Sequence, residues 1–488
     1  MLLFSDKDMH QSLNELTVTD ARKLLDNNNI TALELTEACL LRIKELNRKL
    51  NVCITISSRE ARAEANQADK RLRSGERGDL LGIPFLVKDN IMTKGVRTTA
   101  ASKMLEKYIA PYDATVVAKL KEAGAIMLGK TNLDEFAHGA STEYSYFGAT
   151  KNPYNTKYAP GGSSGGSAVA VATNTCLFAL GTDTGGSVRH PASFCGVVGL
   201  KPTYGLASRH GLIAMTSSTD VPGVLAKNAH DAKLVLETIM GHDHYDATTT
   251  NLPLTEAKDF SQLTIGIVNE YQASGADGAI VKRLEEVVHW LKEQGLKVID
   301  ISLPNARYGV SVYYIITPAE ISSNLARFDG LRYGHRNSEV ETLSEEYLAN
   351  RGDAFGDEVK RRIMLGTHIL SSGYHDAYYL KAQQVRTKII NDFDDVFSQV
   401  DLILAPSTPS TAFKLGSQSG DPLKMYLEDY FLTPASLAGL PAVSFPVGMV
   451  NDLPIGLQLI GPKLSELNIL SLVNEYENAF DKTDTLKN

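Results

Sequence analysis

Near the N-terminus the apolar positions recur at helical spacing. Leu33, Leu35, Cys39, Leu40, Ile43 and Leu46 line one face of a helix predicted from Ala32 to about Leu46, with Thr31 placed to cap it. A shorter helix precedes it, capped by Thr19 or Asp20 and running through Leu24 and Leu25, and Ala61 to Leu72 continues in helical style. The period then changes. Leu81-Gly82-Ile83-Pro84-Phe85-Leu86-Val87-Lys88 is a nearly continuous apolar run that predicts a buried strand ending in a lysine. Val116–Gly124 predicts a helix, Ala125–Lys130 a second short buried strand, and Cys176–Leu180 another. The alternation returns with Leu263–Val268 (strand), Ile280–Gln294 (helix) and Lys297–Ile301 (strand). Residues 310–395 read as chiefly helical. Val400–Ala405, Ala442–Val447 and Ile455–Ile460 read as strands, the last closing the sheet, and Leu467–Phe480 as a surface helix. Strands alternating with helices predict an α/β fold: a large, mainly parallel or mixed sheet flanked by helices, with a helical insertion in the C-terminal half.

A length of 488 residues would suggest about three domains. No Pro/Gly/Ser-rich linker, low-complexity block or fixed-period repeat marks a joint, so one domain over 1–488 is expected. Within it, about 15–75 form an N-terminal helical region and about 310–395 a second one. The net charge of −8 and pI near 5.8 give none of the strong positive field of a chain that grips nucleic acid by itself. If RNA is involved, a partner is expected to carry most of the contact. Cys39, Cys53, Cys176 and Cys195 show neither C-x-x-C nor metal-ligand spacing and read as reduced, buried thiols of a cytosolic protein. Met1–Asp8 has no basic or sustained apolar character of a signal peptide, and no run of about 18 apolar residues predicts a membrane span.

Residues 145–225 are rich in Gly, Ser and Thr, and here the chemistry concentrates. Pro160-Gly161-Gly162-Ser163-Ser164-Gly165-Gly166-Ser167 lacks the lysine of a phosphate loop. Gly161–Gly165 does match G-x-S-x-G, but the polar turn Lys151–Lys157 stands where a nucleophile elbow needs a strand. Alone, this segment is best read as a loop feeding a helix of small residues. The next segment changes that. The strand Cys176–Leu180 runs into Gly181-Thr182-Asp183-Thr184-Gly185-Gly186-Ser187, which sets a serine on a tight glycine turn. Such turns aim consecutive backbone N–H groups at one point, and those of Thr184, Gly185 and Gly186, with Ser187, are candidates for an oxyanion hole. Lys88 ends its apolar strand beside Asp89. Paired or snorkelling, it is structural; desolvated and neutral, it is a base. His190 reaches Ser187 only if the turn continues into a helix, and it reads as no more than a supporting group.

Together these residues resemble the amidase signature family, whose hallmark is two serines in Gly/Ser-rich segments and a distant lysine. The matching pieces are Val87-Lys88-Asp89, Pro160–Ser167 and Gly181–Ser187, and the likeness extends from about 15 to 480. Thr99–Leu105, Asn132–Phe136, Arg327–Gly334, Lys360-Arg361-Arg362-Ile363 and Ser371–Tyr374 are most similar to the aspartyl/glutamyl-tRNA amidotransferase branch of that family. The resemblance implies Ser187 as nucleophile, Ser163 as the bridging serine and Lys88 as base. It implies Tyr313, Arg362 and Asp429 as the groups that hold glutamine. Its carboxylate suits an arginine fork and its ammonium an aspartate. Without the resemblance, Arg361 and Arg362 read as a solvated basic helix face and Asp429 as a surface charge.

The same resemblance implies a cytoplasmic glutaminase without metal or cofactor of its own. It would work in a heterotrimer with subunits B and C, one of which uses ATP and Mg²⁺ on misacylated Glu-tRNA(Gln) or Asp-tRNA(Asn). The chain departs from the family pattern at His190 (usually Gln), Leu206 (usually Arg), Thr219-Asp220-Val221, Pro222-Gly223 and Ser436 (usually Asn). The competing readings are a stand-alone amidase for another small amide and a scaffold protein that keeps the fold but has lost activity.

Overall fold

A computed structural model describes residues 13–272, 275–337, 339–418 and 420–480; Met1–Asp8 lies outside them. The strands in chain order are β1 (Cys53–Ile56), β2 (Pro84–Lys88), β3 (Ile126–Thr131), β4 (Phe178–Asp183), β5 (Val198–Lys201), β6 (Val221–Ala226), β7 (Thr264–Val268), β8 (Lys297–Ile301), β9 (Leu402–Pro406), β10 (Ala442–Val450) and β11 (Leu453–Ile460). They form one 11-stranded sheet in the order β1-β3-β2-β4-β6-β5-β10-β11-β9-β7-β8. The sheet is mixed. β2 lies parallel to both β3 and β4, and β7 parallel to β8 and β9, whereas β4–β6–β5–β10–β11–β9 are joined antiparallel.

Most expected elements are present with shifted ends. Thr31 caps a helix over Ala32–Leu50 through a reciprocal bond with Glu34, four residues longer than the apolar stripe required. The first helix is Val18–Asp26 and its cap is Thr17, not Thr19 or Asp20. Asp20 instead supplies the backbone N–H that the Thr17 hydroxyl accepts.

Other expectations need correction. β11 does not close the sheet; it lies between β10 and β9, and the edges are β1 and β8. The last helix, Glu466–Ala479, buries Ile469, Leu470, Leu472, Val473 and Tyr476 against the sheet side, so it is a packed layer and not a surface appendage. Strands β1, β5 and β6 were hidden in the pattern. β1 and β5 span only four residues each, and β6 carries Pro222 and Gly223, both strand-breaking signals. Gly223 is needed where it stands: a methyl there would come within 2.7 Å of Leu200 O and 2.9 Å of Val188.

The fully buried central strands explain why the apolar runs are continuous and not alternating. Phe85 and Phe178 stack at 5.2 Å across β2 and β4 and help fix that pairing. The register sets Val87 opposite Leu180, so Lys88 and Thr182 leave the sheet at the same end.

Candidate active site

Lys88 closes β2 and is fully buried. Its Nζ lies 2.8 Å from Ser163 Oγ, 2.8 Å from Ser164 Oγ and 2.9 Å from Thr182 Oγ1, with Thr182 O at 3.3 Å. Asp89 does not pair with it. Successive strand residues point to opposite faces, and Asp89 accepts from Thr99 and faces Lys130 at 3.5 Å. Burial pushes the Lys88 amine down to about 7; the carboxylates of Asp134, Asp183 and Asp220 pull it upward without cancelling that effect. The lysine thus sits among hydroxyl groups, without a direct anionic partner among the described residues, and is able to exist neutral near physiological pH.

Ser163 and Ser164 belong to a loop that enters the helix Gly165–Ala172. No strand precedes it, in keeping with the polar 151–157 segment. The Gly162–Ser163 peptide is cis. Gly162 has no room for a side chain, since a methyl would lie 2.6 Å from Ser141 N and overlap the Asp134 carboxylate. Asp134 accepts from the backbone N–H of Ser141, Thr142 and Tyr144, and burial pushes it up to about 6. The Ser164 N–H donates to Ser187 O at 3.0 Å, which holds this loop against the second serine.

β4 ends at Asp183, and the chain turns through Thr184–Ser187 into the helix Arg189–Cys195. Asp183 Oδ2 accepts from the N–H of Val188 and Arg189. Among the described residues, no backbone N–H from Thr184 to Ser187 donates to a protein acceptor. Those four donors are therefore left without a protein acceptor among the described residues, which is what an oxyanion hole would need. The Thr184 hydroxyl donates to Asp220 at 2.7 Å, and Asp220 also takes the N–H of Met215 and Thr216, so the altered 219–223 stretch still braces the turn. Ser187 is 8% exposed, and its Oγ makes no hydrogen bond to another described residue.

Tyr313 packs on the turn itself. A methyl on Gly185 would lie 2.5 Å from Tyr313 Cζ and 2.7 Å from its hydroxyl. Arg362 is 2% exposed and its Nε donates to Glu358 Oε1 at 2.8 Å. It lies beside the stacked rings of Tyr314 and Tyr426, at 5.0 and 5.4 Å from their centroids. Asp429 is buried too. Its carboxylate accepts from Tyr314 OH at 3.0 Å, and burial pushes it up to about 6. The surface reading of Arg362 and Asp429 is thus overturned: both are buried, Arg362 beside Glu358 and two tyrosine rings and Asp429 against the Tyr314 hydroxyl. Only Arg361 remains half exposed, ion-paired with Glu358.

The departures from the family pattern fall in different places. Leu206 lies in the main apolar cluster. Ser436 donates toward Asp183 at 3.4 Å and accepts from the fully buried Arg189 at 2.8 Å. Arg189 also pairs with Asp183 at 3.1 Å and bonds Gln458 and Leu432 O. His190 does lie in a helix, and its N–H donates to Gly186 O, but its ring faces Gly162 and not Ser187. Sequence reasoning missed Ser164, Thr182, Arg189, Tyr314, Tyr426 and Glu358. Period-two alternation would not have found Thr182: Val87 pairs with Leu180, which sets Thr182 on the Val87 face of the sheet, yet its hydroxyl reaches the Lys88 amine at the strand end.

The Amidase family matches residues 34–470 of the chain. The A-subunit of the glutamyl-tRNA(Gln) amidotransferase of Thermoanaerobacter pseudethanolicus is 49% identical over 96% of this chain and 97% of its own. Its counterpart in Roseiflexus castenholzii is 50% identical, with 96% of each chain covered. Among solved structures, the A-subunit of the glutamyl-tRNA(Gln) amidotransferase of Thermotoga maritima superposes with a TM-score of 0.79 at 40% identity, covering 96% of this chain and 95% of that one. The peptide amidase of Stenotrophomonas maltophilia gives 0.81 at 30% identity, covering 95% and 97%.

Proposed function

We propose, from the premise that this chain belongs to the amidase family, that it is the glutamine-hydrolysing subunit of a tRNA-dependent amidotransferase. The observation that carries the chemistry is the buried contact of Lys88 Nζ with Ser163 Oγ at 2.8 Å. In this reading neutral Lys88 takes a proton from Ser163, which takes one from Ser187. Ser187 Oγ attacks the side-chain carboxamide carbon of glutamine. The N–H groups of Thr184 to Ser187 receive the oxyanion; loss of one such donor typically costs about 3–4 kcal/mol. The C–N bond breaks as the proton returns through Ser163 to the leaving nitrogen, and ammonia departs. Water, deprotonated along the same path, then cleaves the γ-glutamyl ester to glutamate and frees Ser187.

Tyr313, Arg362 and Asp429 would hold the amino acid. Arg362 offers its terminal nitrogens to the carboxylate, and Asp429 takes the ammonium. Ammonia passes to partner subunits, and a B and C pair in a cytoplasmic heterotrimer fits the acidic charge of this chain. There ATP and Mg²⁺ would activate the acyl group of Glu-tRNA(Gln) or Asp-tRNA(Asn). This chain's own steps require neither metal nor cofactor.

The test is glutamine hydrolysis by the purified chain, alone and then with candidate B and C subunits, Glu-tRNA or Asp-tRNA and ATP. A large rise with partners supports the reading. Turnover of other amides that ignores the partners would establish a stand-alone amidase instead.

A further inference from the structure

His190 connects the two halves of the candidate site. Its backbone N–H donates to Gly186 O at 2.7 Å, which anchors the residue to the turn carrying Ser187. Its side chain is fully buried, with the ring 4.5 Å from that of Phe194. Nδ1 accepts from the Gly162 N–H at 3.4 Å, beside Ser163. A methyl on Gly161 would lie 2.7 Å from that same nitrogen, so the loop is fitted closely to the ring.

With Nδ1 an acceptor, a neutral ring carries its proton on Nε2. Among the described residues Nε2 has no hydrogen-bond partner, and it faces Glu428 Oε2 at 3.9 Å, which has none either. The other oxygen of Glu428 accepts from Gln418 at 2.8 Å. A buried donor and a buried acceptor are thus aimed at one another, about 1 Å beyond hydrogen-bonding distance. Glu428 directly precedes Asp429, the group proposed to take the ammonium of glutamine.

We propose that His190 is a positioning residue that ties the Ser163 loop to the Glu428–Asp429 wall, its Nε2–H donating to Glu428 once substrate draws that wall inward. The proposal rests on the glutaminase reading. His190 touches neither substrate nor the reacting atoms; it acts by setting where Asp429 stands relative to Ser163. The closure shifts a small distance between groups already facing each other.

The experiment is steady-state glutamine hydrolysis by the full chain, in wild type, His190→Ala, His190→Gln, Glu428→Gln and the His190→Ala/Glu428→Gln double variant. We expect His190→Ala to raise KM for glutamine by about tenfold while kcat falls less than about threefold, the signature of lost positioning of bound substrate. His190→Gln should recover KM to within about threefold, because its amide can accept from Gly162 and donate to Glu428. The double variant should be no worse than the more impaired single one, since both break one connection. An unchanged KM in His190→Ala, additive losses in the double variant, or no rescue by Gln overturns the proposal. Should His190→Ala fail to fold, His190→Gln and Glu428→Gln decide alone: near-wild-type KM in the first with a raised KM in the second upholds the proposal, and any other pair overturns it. Absence of glutaminase activity in the wild type would instead reject the reading on which it rests.

Discussion

Lys88 Nζ stands 2.8 Å from Ser163 Oγ, with both side chains sealed from solvent. Burial, opposed by Asp134, Asp183 and Asp220, leaves the amine near 7 instead of 10.5. If neutral Lys88 is the base, kcat/KM for glutamine should climb about tenfold per pH unit below about 7 and level off above it. A flat profile between pH 5.5 and 8 would remove Lys88 from the proton path.

The same shift makes a statement about stability. Between about 7 and 10.5 the unfolded chain holds a proton on this amine that the folded chain has released, so the group's contribution to stability rises with pH. Its burden is greatest below 7 and vanishes above 10.5. Lys88→Met should therefore be most favourable, relative to wild type, at or below neutral pH, and the difference should shrink toward pH 10. Chemical denaturation at several pH values measures that slope, and a pH-independent difference would refute it.

Ser187→Ala and Lys88→Ala should each cut glutamine turnover on the order of 10³-fold or more, with little change in binding. Ser163→Ala should fall in the same range, because it removes the hydroxyl proposed to pass the proton from Ser187 to Lys88. Ser164→Ala is the informative contrast. Ser164 also accepts from Lys88 at 2.8 Å, but its hydroxyl donates to Thr182 O at 3.2 Å and so sits away from the proposed path. A loss of less than about tenfold is expected there, since a supporting hydrogen bond is worth about 1 kcal/mol. Equal losses at 163 and 164 would leave the bridging role unassigned.

How far the sequence led follows from where each signal lies. A strand running into glycines is a local event, so the Thr184–Ser187 turn was legible from contiguous residues. So were β2, β3 and β4, whose burial on both faces makes unbroken apolar runs. β6 was not, because Pro222 and Gly223 mimic a turn while serving a strand between two antiparallel neighbours. The enclosure of Arg362 is a tertiary fact. Tyr314 and Tyr426 are more than a hundred residues apart, and only packing stacks them at 3.8 Å beside the guanidinium. Period two turns Asp89 away from Lys88, but that Asp89 meets Lys130 and Lys88 meets hydroxyls is again a matter of packing.

For Arg362, the proposed role as a carboxylate fork is separable from its charge. Arg362→Lys keeps the charge but not the planar geometry, nor the fit against Tyr314 and Tyr426. KM for glutamine should rise on the order of ten- to a hundredfold, with kcat changed much less. Asp429→Asn should act in the same direction by removing the partner of the substrate ammonium. Isothermal titration of glutamine into a Ser187→Ala background isolates binding from turnover. Unaltered affinity in both variants would move the amino-acid site elsewhere.

Arg189 tests how the turn is held. Its guanidinium and the Asp183 carboxylate are both fully buried, 3.1 Å apart, and the arginine also bonds Ser436, Leu432 O and Gln458. Burial pushes the Asp183 carboxyl upward, and the guanidinium with the Val188 N–H more than reverses it, so it titrates below its usual range. Arg189→Met strips that compensation and leaves an uncompensated buried carboxylate, a change that typically costs about 3–5 kcal/mol. Because Asp183 also takes the N–H groups that begin the helix after Ser187, turnover should fall together with stability. Arg189→Met/Asp183→Asn removes the orphaned charge, so it should regain part of the lost stability in urea denaturation, while turnover stays low because the carboxylate no longer anchors Val188. A double variant less stable than Arg189→Met would mean that Asp183 stabilises the turn without needing its partner.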